Sequence, residues 1–376
     1  MLELHDTIGL DSLLATKLYV PFPRPGAIRR PQLIARLNDS LSQKLALVSA
    51  PAGSGKTTLL SQWAAELNAA GQPAVAWVSL ETGENDLIQF LAYLIAAVRS
   101  AHKSLGDAAL DRLYIYPDPG YEAILTALIN EIAQNGQPLV LILDDYHLID
   151  NASVHTAVQF LLEHLPPRMH VVVASRSQLP LELARLRVQG QITELGLEDL
   201  RFSFSETQAF LHEIMRLDLP AETVDQIASQ AEGWAAGIQL AALALQEQAP
   251  AERALRGGQH YVIDYLTEEI LQRQSQDVRS FLLNTAILDR LCAPLVEFVS
   301  QADNGQTMLE QLESSNLFLV ALDVERCWYR YHHLFSEYLR KVLEQSSSRE
   351  EITTLHRQAA TWYQDNDAPH EAIKHA

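Results

Sequence analysis

Cysteine is nearly absent: Cys292 and Cys327 are the only two in 376 residues, with no CxxC spacing. A disulfide framework and a cysteine metal site are thereby excluded, and two reduced thiols are expected. Basic residues are also scarce, Lys+Arg numbering 28 against 47 Asp+Glu for a net charge of −19. A broad nucleic-acid surface needs a basic footprint, so this balance speaks against one; Ile28-Arg-Arg30 is the only dense basic cluster near the N-terminus. Long apolar runs are missing too. The longest helix-like stretch, Trp234–Leu245, is too short to span a bilayer and is expected as a buried helix. Glu3, Asp6 and Asp11 replace the basic segment of a secretory leader, so the expected location is cytoplasmic, with no membrane partner.

What the sequence does hold is concentrated in Ala50-Pro-Ala-Gly-Ser-Gly-Lys-Thr-Thr58. This stretch follows an apolar strand, Leu45–Val48, and precedes residues 59–67, whose apolar positions recur at helical spacing. Strand, glycine-bearing loop and helix form the context of a phosphate-binding P-loop. Its backbone amides converge on phosphate oxygens at the positive end of a helix. Lys56 is placed to reach the β- and γ-phosphates, and the Thr57 hydroxyl to bind Mg2+. The first glycine of G-x-x-x-x-G-K-[ST] is replaced by Ala50, while Gly53 and Gly55 remain where the loop turns tightly.

Further strands are predicted at Pro73–Leu80, Pro138–Asp144, Met169–Ser175 and Gln191–Leu195. Helices are predicted between them at Leu87–Val98, Tyr121–Gln134 and Val154–His164. Continuous apolar strands alternating with amphipathic helices imply an α/β domain, a parallel sheet with helices on both faces, over residues 1–200. Residues 201–275 read as an all-α helical arm domain, with Ser205 as an N-cap, helices at Glu222–Ala231, Ala235–Leu245 and Val262–Gln272, and a loop at Gln246–Gly258. Residues 276–345 hold three short helices (Val278–Ala286, Ala293–Ser300, Thr307–Ser314) and two strands (Leu317–Leu322, Trp328–Tyr331), the order of a winged-helix domain, then helix His333–Leu343. Residues 346–376, with helices Ile352–Asn366 and His370–Ala376, resemble the opening of a helical-repeat array. One repeat cannot bury its own apolar face, so the chain is expected to be part of a larger protein.

Three further positions carry chemistry. Leu139–Asp145 is an apolar strand ending in two acids: Asp144 suits magnesium, and Asp145 suits a general base that polarises water. Arg176 ends the next strand, where it serves either as a γ-phosphate sensor or as a structural ion pair. His332 and His333 follow the wing, and a histidine there is by itself equally a polar packing group. The glycines of Glu232-Gly-Trp234 and Gly237 read as sites of close helix packing.

Taken in order, Lys17-Leu18, Arg30–Leu33, Ser49–Leu59, Trp77–Leu80, Leu143–His147, Ala174–Arg176, Glu232–Gly237 and Tyr329–Phe335 resemble the N-terminal ATPase module of MalT-like transcriptional regulators. These are LuxR-class members of the STAND signal-transduction ATPases, related to AAA+ proteins. The resemblance implies a slow regulatory ATPase that is closed over ADP at rest, and that self-associates when ATP and inducer open it. It places Ala52, Gly53, Ser54, Gly55, Lys56, Thr57 and Thr58 at the phosphates of ATP or ADP. Thr57 and Asp144 take the Mg2+ positions, while Asp145, Lys56 and Arg176 take the hydrolytic and sensor positions. Arg30 falls in the segment bordering the base, and His332 where a winged-helix histidine holds the ADP β-phosphate. The Gly-x-Pro that other STAND branches place on adenine is replaced by Gly233-Trp-Ala-Ala-Gly237, which leaves the adenine contacts unassigned. No LuxR-type helix-turn-helix precedes Ala376, so DNA and inducer are expected to be met only through C-terminal segments outside this sequence. Two other functions fit the same motifs: an AAA+-like motor or small-molecule kinase, and a nucleotide-holding scaffold of the kind found among defence-type STAND proteins.

Overall fold

The computed structural model of the protein describes residues 13–23, 26–115, 120–246 and 265–376. They divide into two compact units: the chain up to Ala50 with Gly55–Leu200, and Pro51–Ser54 with Arg201–Ala376.

The first unit runs α1 (Pro31–Ser40), β1 (Leu45–Ser49), α2 (Lys56–Ala70), β2 (Ala74–Ser79), α3 (Leu87–Ala101), α4 (Asp107–Ile115) and α5 (Gly120–Asn135). It continues with β3 (Leu139–Asp144), α6 (Ala152–Glu163), β4 (Met169–Ser175), α7 (Ala184–Val188), β5 (Ile192–Leu195) and α8 (Leu197–Leu200). The strands form one parallel sheet in the order β2-β3-β4-β1-β5. Side chains alternate across it, which explains the continuous apolar strand text. Leu139, Leu141 and Leu143 of β3 face a core with Phe90, Leu94, Leu128 and Leu161. Val140 and Ile142 face the opposite core, with Leu37, Leu60 and Trp63. Register sets Ser49 beside Ser175 and Ser79 beside Asp144, so the carboxyl ends of the central strands finish level. In an open α/β sheet that edge is where ligands bind.

Four helices of this unit escape the sequence reading: α1, α4 and the short α7 and α8. α1 starts with Pro31, whose missing N–H costs nothing at a first helical position. α4 is nine residues long, too few turns to establish a helical period. Near the N-terminus Lys17 is buried in an ion pair with Glu84, Nζ to Oε1 being 2.9 Å.

The second unit contains α9 (Phe204–Ala209), α10 (Ala221–Ala231), α11 (Ala235–Gln246), α12 (Gln276–Thr285), α13 (Ala293–Ser300), α14 (Gly305–Ser314), β6 (Leu319–Ala321) and β7 (Tyr329–Tyr331). Then follow α15 (His333–Ser346), α16 (Arg349–Asp365) and α17 (Pro369–His375). β6 and β7 pair antiparallel, with Leu319 opposite Tyr331, to give the three-helix-plus-hairpin form of a winged helix. The predicted loop Gln246–Gly258 and the start of the predicted helix Val262–Gln272 lie outside the described residues, apart from Gln246 and residues 265–272.

Two expectations are corrected here. The cap of α9 is Ser203, not Ser205: its Oγ accepts from the Glu206 amide, and the Glu206 carboxylate accepts from the Ser203 amide. This is a reciprocal capping box. α11 is buried on one face only; Ile238 and Ala242 are enclosed, whereas Leu243 is 37% exposed. Both cysteines are free, Cys292 buried and Cys327 exposed. Among the described residues no helix is long and apolar enough to cross a membrane.

Candidate functional site

β1 ends at Ser49, and the chain turns at once through Ala50–Gly55 into α2. Gly53 (φ +72°) and Gly55 (φ +86°) take the left-handed backbone that such a turn demands. Gly55 is also the N-cap residue of α2, so no side chain occupies the first amides of that helix. They remain available to an anion at the positive helix end.

Charged groups gather at the same edge of the sheet. Lys56 Nζ donates to the Ala50 carbonyl at 2.7 Å, folding the side chain back over its own loop. Burial, then the nearby Arg176 guanidinium, pulls the ammonium down to about 8 against the opposing pull of Asp145 and Asp144. Thr57 Oγ1 donates to Asp144 Oδ2 at 2.9 Å, and the Asp145 amide donates to Asp144 Oδ1 at 3.1 Å. Burial, then repulsion from Asp145, nonetheless pushes the Asp144 carboxyl up to about 6. Asp145 sits at φ +57°, a strained backbone for a residue with a side chain, and its Oδ1 lies 3.8 Å from His147 Nδ1. Strain of this kind gathers at functional sites.

The donors fit the ligands expected of them. Thr57 and Asp144 offer adjacent hard oxygens, which is what Mg2+ takes. A buried carboxyl pushed up to about 6 is one that a cation would return to its ionised form. Lys56, Arg176 and the amides of α2 supply the positive charge that phosphates need. Lys56, Thr57, Asp144, Asp145 and Arg176 are thus brought together, with Thr58 in the same helical turn.

Arg30 and His332 make other contacts. Arg30 donates from Nη1 to Leu200 O at 2.6 Å and from Nη2 to Asp199 O at 3.1 Å, which ties the start of α1 to α8. His332, in the second unit, is buried at the start of α15, its Nε2 being 3.1 Å from Ala231 O. A carbonyl only accepts, so Nε2 carries the hydrogen. Nδ1 is then a buried acceptor without a partner among the described residues. Burial lowers the ring to about 4, which keeps it neutral. As placed, His332 offers a phosphate no donor; it would do so only after taking up a proton at Nδ1.

Sequence reasoning missed the groups around His332. Glu232, at φ +47°, accepts from Arg330 Nη1 and Nη2 at 2.8 Å each and from the His333 amide at 3.0 Å. Burial would raise its carboxyl, but these donors outweigh burial and hold it at about 2. Trp234 donates its indole N–H to Ala52 O at 2.9 Å, and the Ala236 amide donates to Gly53 O at 3.0 Å. Gly237 lets the Trp234 ring fold down, since a Cβ there would stand 2.6 Å from Cε3. The glycines of this motif serve packing, as expected. Ser54 Oγ is buried with no partner among the described residues.

Comparison with known proteins agrees with this geometry. Residues 28–174 match the AAA ATPase domain family, and residues 267–351 match the MalT winged helix domain. The chain is similar to the HTH-type transcriptional regulator MalT of Cronobacter sakazakii, 36% identical over 375 residues, covering 97% of this chain and 40% of that protein. It is also similar to the serine/threonine-protein kinase PknK of Mycobacterium tuberculosis, 33% identical over 373 residues, covering 98% of this chain and 33% of that protein. The chain therefore spans about a third to two fifths of the length of these relatives. Among solved structures, a Walker-type ATPase of Pyrococcus abyssi shares the fold with a TM-score of 0.60 at 14% identity, covering 85% of this chain and 98% of that one.

Proposed function

We propose that the chain, which resembles an N-terminal ATPase module of MalT-like proteins joined to a MalT winged helix domain, is a nucleotide-controlled switch. ADP holds the resting state; ATP favours an open form that self-associates. The observation that carries this reading is the cluster of Lys56, Thr57, Asp144 and Asp145 behind an uncapped helix start.

In this reading the amides of Gly53, Ser54, Gly55, Lys56, Thr57 and Thr58 cradle the phosphates, with Ala52 at the entry to the turn. Lys56 neutralises the β- and γ-oxygens. Thr57 and Asp144 would hold Mg2+, which when bound supplies charge to the same oxygens. Asp145 orients the attacking water and takes its proton. Arg176 reports the γ-phosphate, and Arg30 borders the base.

A switch works only if each nucleotide favours a different state. Protonated His332 would hold the ADP β-phosphate, and a γ-phosphate would shift that contact towards Arg176. An inducer and DNA would act through segments outside this sequence. The setting we propose is the cytoplasm, with a transcriptional regulator as the complete protein.

Steady-state ATP turnover of the purified chain with Mg2+ tests this reading. Slow hydrolysis is expected, falling at least about 100-fold in Asp145→Asn with nucleotide binding kept. Fast turnover without inducer would indicate a motor or a kinase. Binding without any hydrolysis would indicate a scaffold.

A further inference from the structure

We infer that Trp234 and the Ala236 amide are positioning groups for the phosphate loop, holding its outer carbonyls so that its inner amides face the nucleotide. The inference rests on the nucleotide-binding reading above and adds residues to that site. The loop residues Pro51–Ser54 belong to the same compact unit as Trp234 and Ala236. Trp234 Nε1 donates to Ala52 O at 2.9 Å, and Ala236 N donates to Gly53 O at 3.0 Å. A trans peptide is planar, and its C=O points opposite to the N–H of the next residue. Fixing the Ala52 and Gly53 carbonyls on one side therefore turns the Gly53 and Ser54 N–H groups to the other. Those two amides are among the donors of a P-loop cradle.

The clamp is rigid enough to do this. Trp234 is 3% exposed, and its ring lies against Gly237. Phe318 meets it edge-on, with centroids 5.1 Å apart at 76°, and Tyr265 and His332 flank it at 5.9 and 6.2 Å. The fit also demands glycine at position 53. A Cβ there would come within 2.5 Å of Ala236 Cβ, 3.0 Å of Trp234 Nε1 and 3.1 Å of the Tyr265 hydroxyl. Because Phe318 and His332 sit at the ends of the wing, a shift of the wing is passed through the indole to the loop. The clamp gives the helical arm a way to sense the loop without touching the nucleotide.

The experiment replaces Trp234 in the whole chain by phenylalanine and, separately, by β-(3-benzothienyl)alanine, an isostere that keeps the bicyclic bulk and lacks only the N–H. Affinity is read with fluorescent N-methylanthraniloyl-ADP and the corresponding ATP, with thermal melting as the control for folding. The isostere should melt like the wild type and bind both nucleotides about tenfold more weakly, the loss expected for one buried hydrogen bond. Trp234→Phe should show at least the same loss. A purely structural indole would leave the isostere's affinity at the wild-type value, and that result overturns the inference. Should the wild type bind neither nucleotide, the functional reading falls first and this inference with it. Should Trp234→Phe fail to fold, the isostere still decides.

Discussion

Two clusters of buried charge in this molecule are built to opposite ends. At the carboxyl edge of the sheet, Lys56 is drawn down to about 8 and Asp144 up to about 6, each pushed towards its neutral form. Around α10 and α15, Glu232 is held at about 2 by a forked arginine and a backbone amide, fixed in its charged form. In the second cluster the Glu232 carboxylate locks β7 and the start of α15 to the end of α10. The first gathers charges that the protein does not fully compensate, which is the arrangement of a site finished by its ligand. Donors hold Glu232 in its ionised form, whereas burial at the sheet edge presses Lys56 and Asp144 towards neutrality.

The largest effect expected from this contrast is in pH. His332 is lowered from its ordinary 6.5 to about 4, so its neutral form stabilises the folded state fully above about pH 6.5. That stability is lost as pH falls through the folded value, amounting to about 2.5 kcal/mol by pH 4.5. Asp144 acts with the opposite sign: raised to about 6, it favours folding below its ordinary 3.8 and loses that contribution as pH rises through 6. Denaturant unfolding between pH 7.5 and 4.5 checks both, with His332→Gln expected to reduce the acid loss and Asp144→Asn to deepen it. A His332→Gln profile parallel to the wild type would contradict the assignment.

A smaller effect separates two amide substitutions of the same kind. Glu232→Gln should cost about 2 kcal/mol at pH 7, because Arg330 is left half-buried without its carboxylate. Asp144→Asn should instead add about 1 kcal/mol in the nucleotide-free protein, since it removes a charge that burial disfavours. Chemical denaturation of both variants reads the sign directly, and equal signs would erase the distinction drawn above.

The parallel sheet was legible in the sequence because strands covered on both faces are apolar at every position; β4 falls on the predicted Met169–Ser175. The phosphate-loop and acidic-pair residues were legible too, since their chemistry demands fixed spacing next to a strand end. α1 was not, although Pro31 at its first position is a start signal. Ser203-Phe-Ser-Glu206 carries a capping box that nearby Ser205 obscured. Trp234 on Ala52 and Arg330 on Glu232 had no local signal at all. These pairs lie 182 and 98 residues apart, and only the fold joins them. His332 was picked out by pattern, but its tautomer depends on Ala231 O, which no pattern in the chain reveals.

The most direct measurement is a calorimetric titration of the nucleotide-free chain with ADP and Mg2+ at pH 8, repeated in buffers of different ionisation enthalpy. At that pH Lys56, held at about 8, is about half protonated, and phosphates arriving beside it complete the protonation. The account predicts one saturable site whose apparent heat varies with buffer as uptake of about half a proton, a dependence that disappears in Lys56→Arg. The absence of binding heat, or a heat independent of buffer, would contradict it.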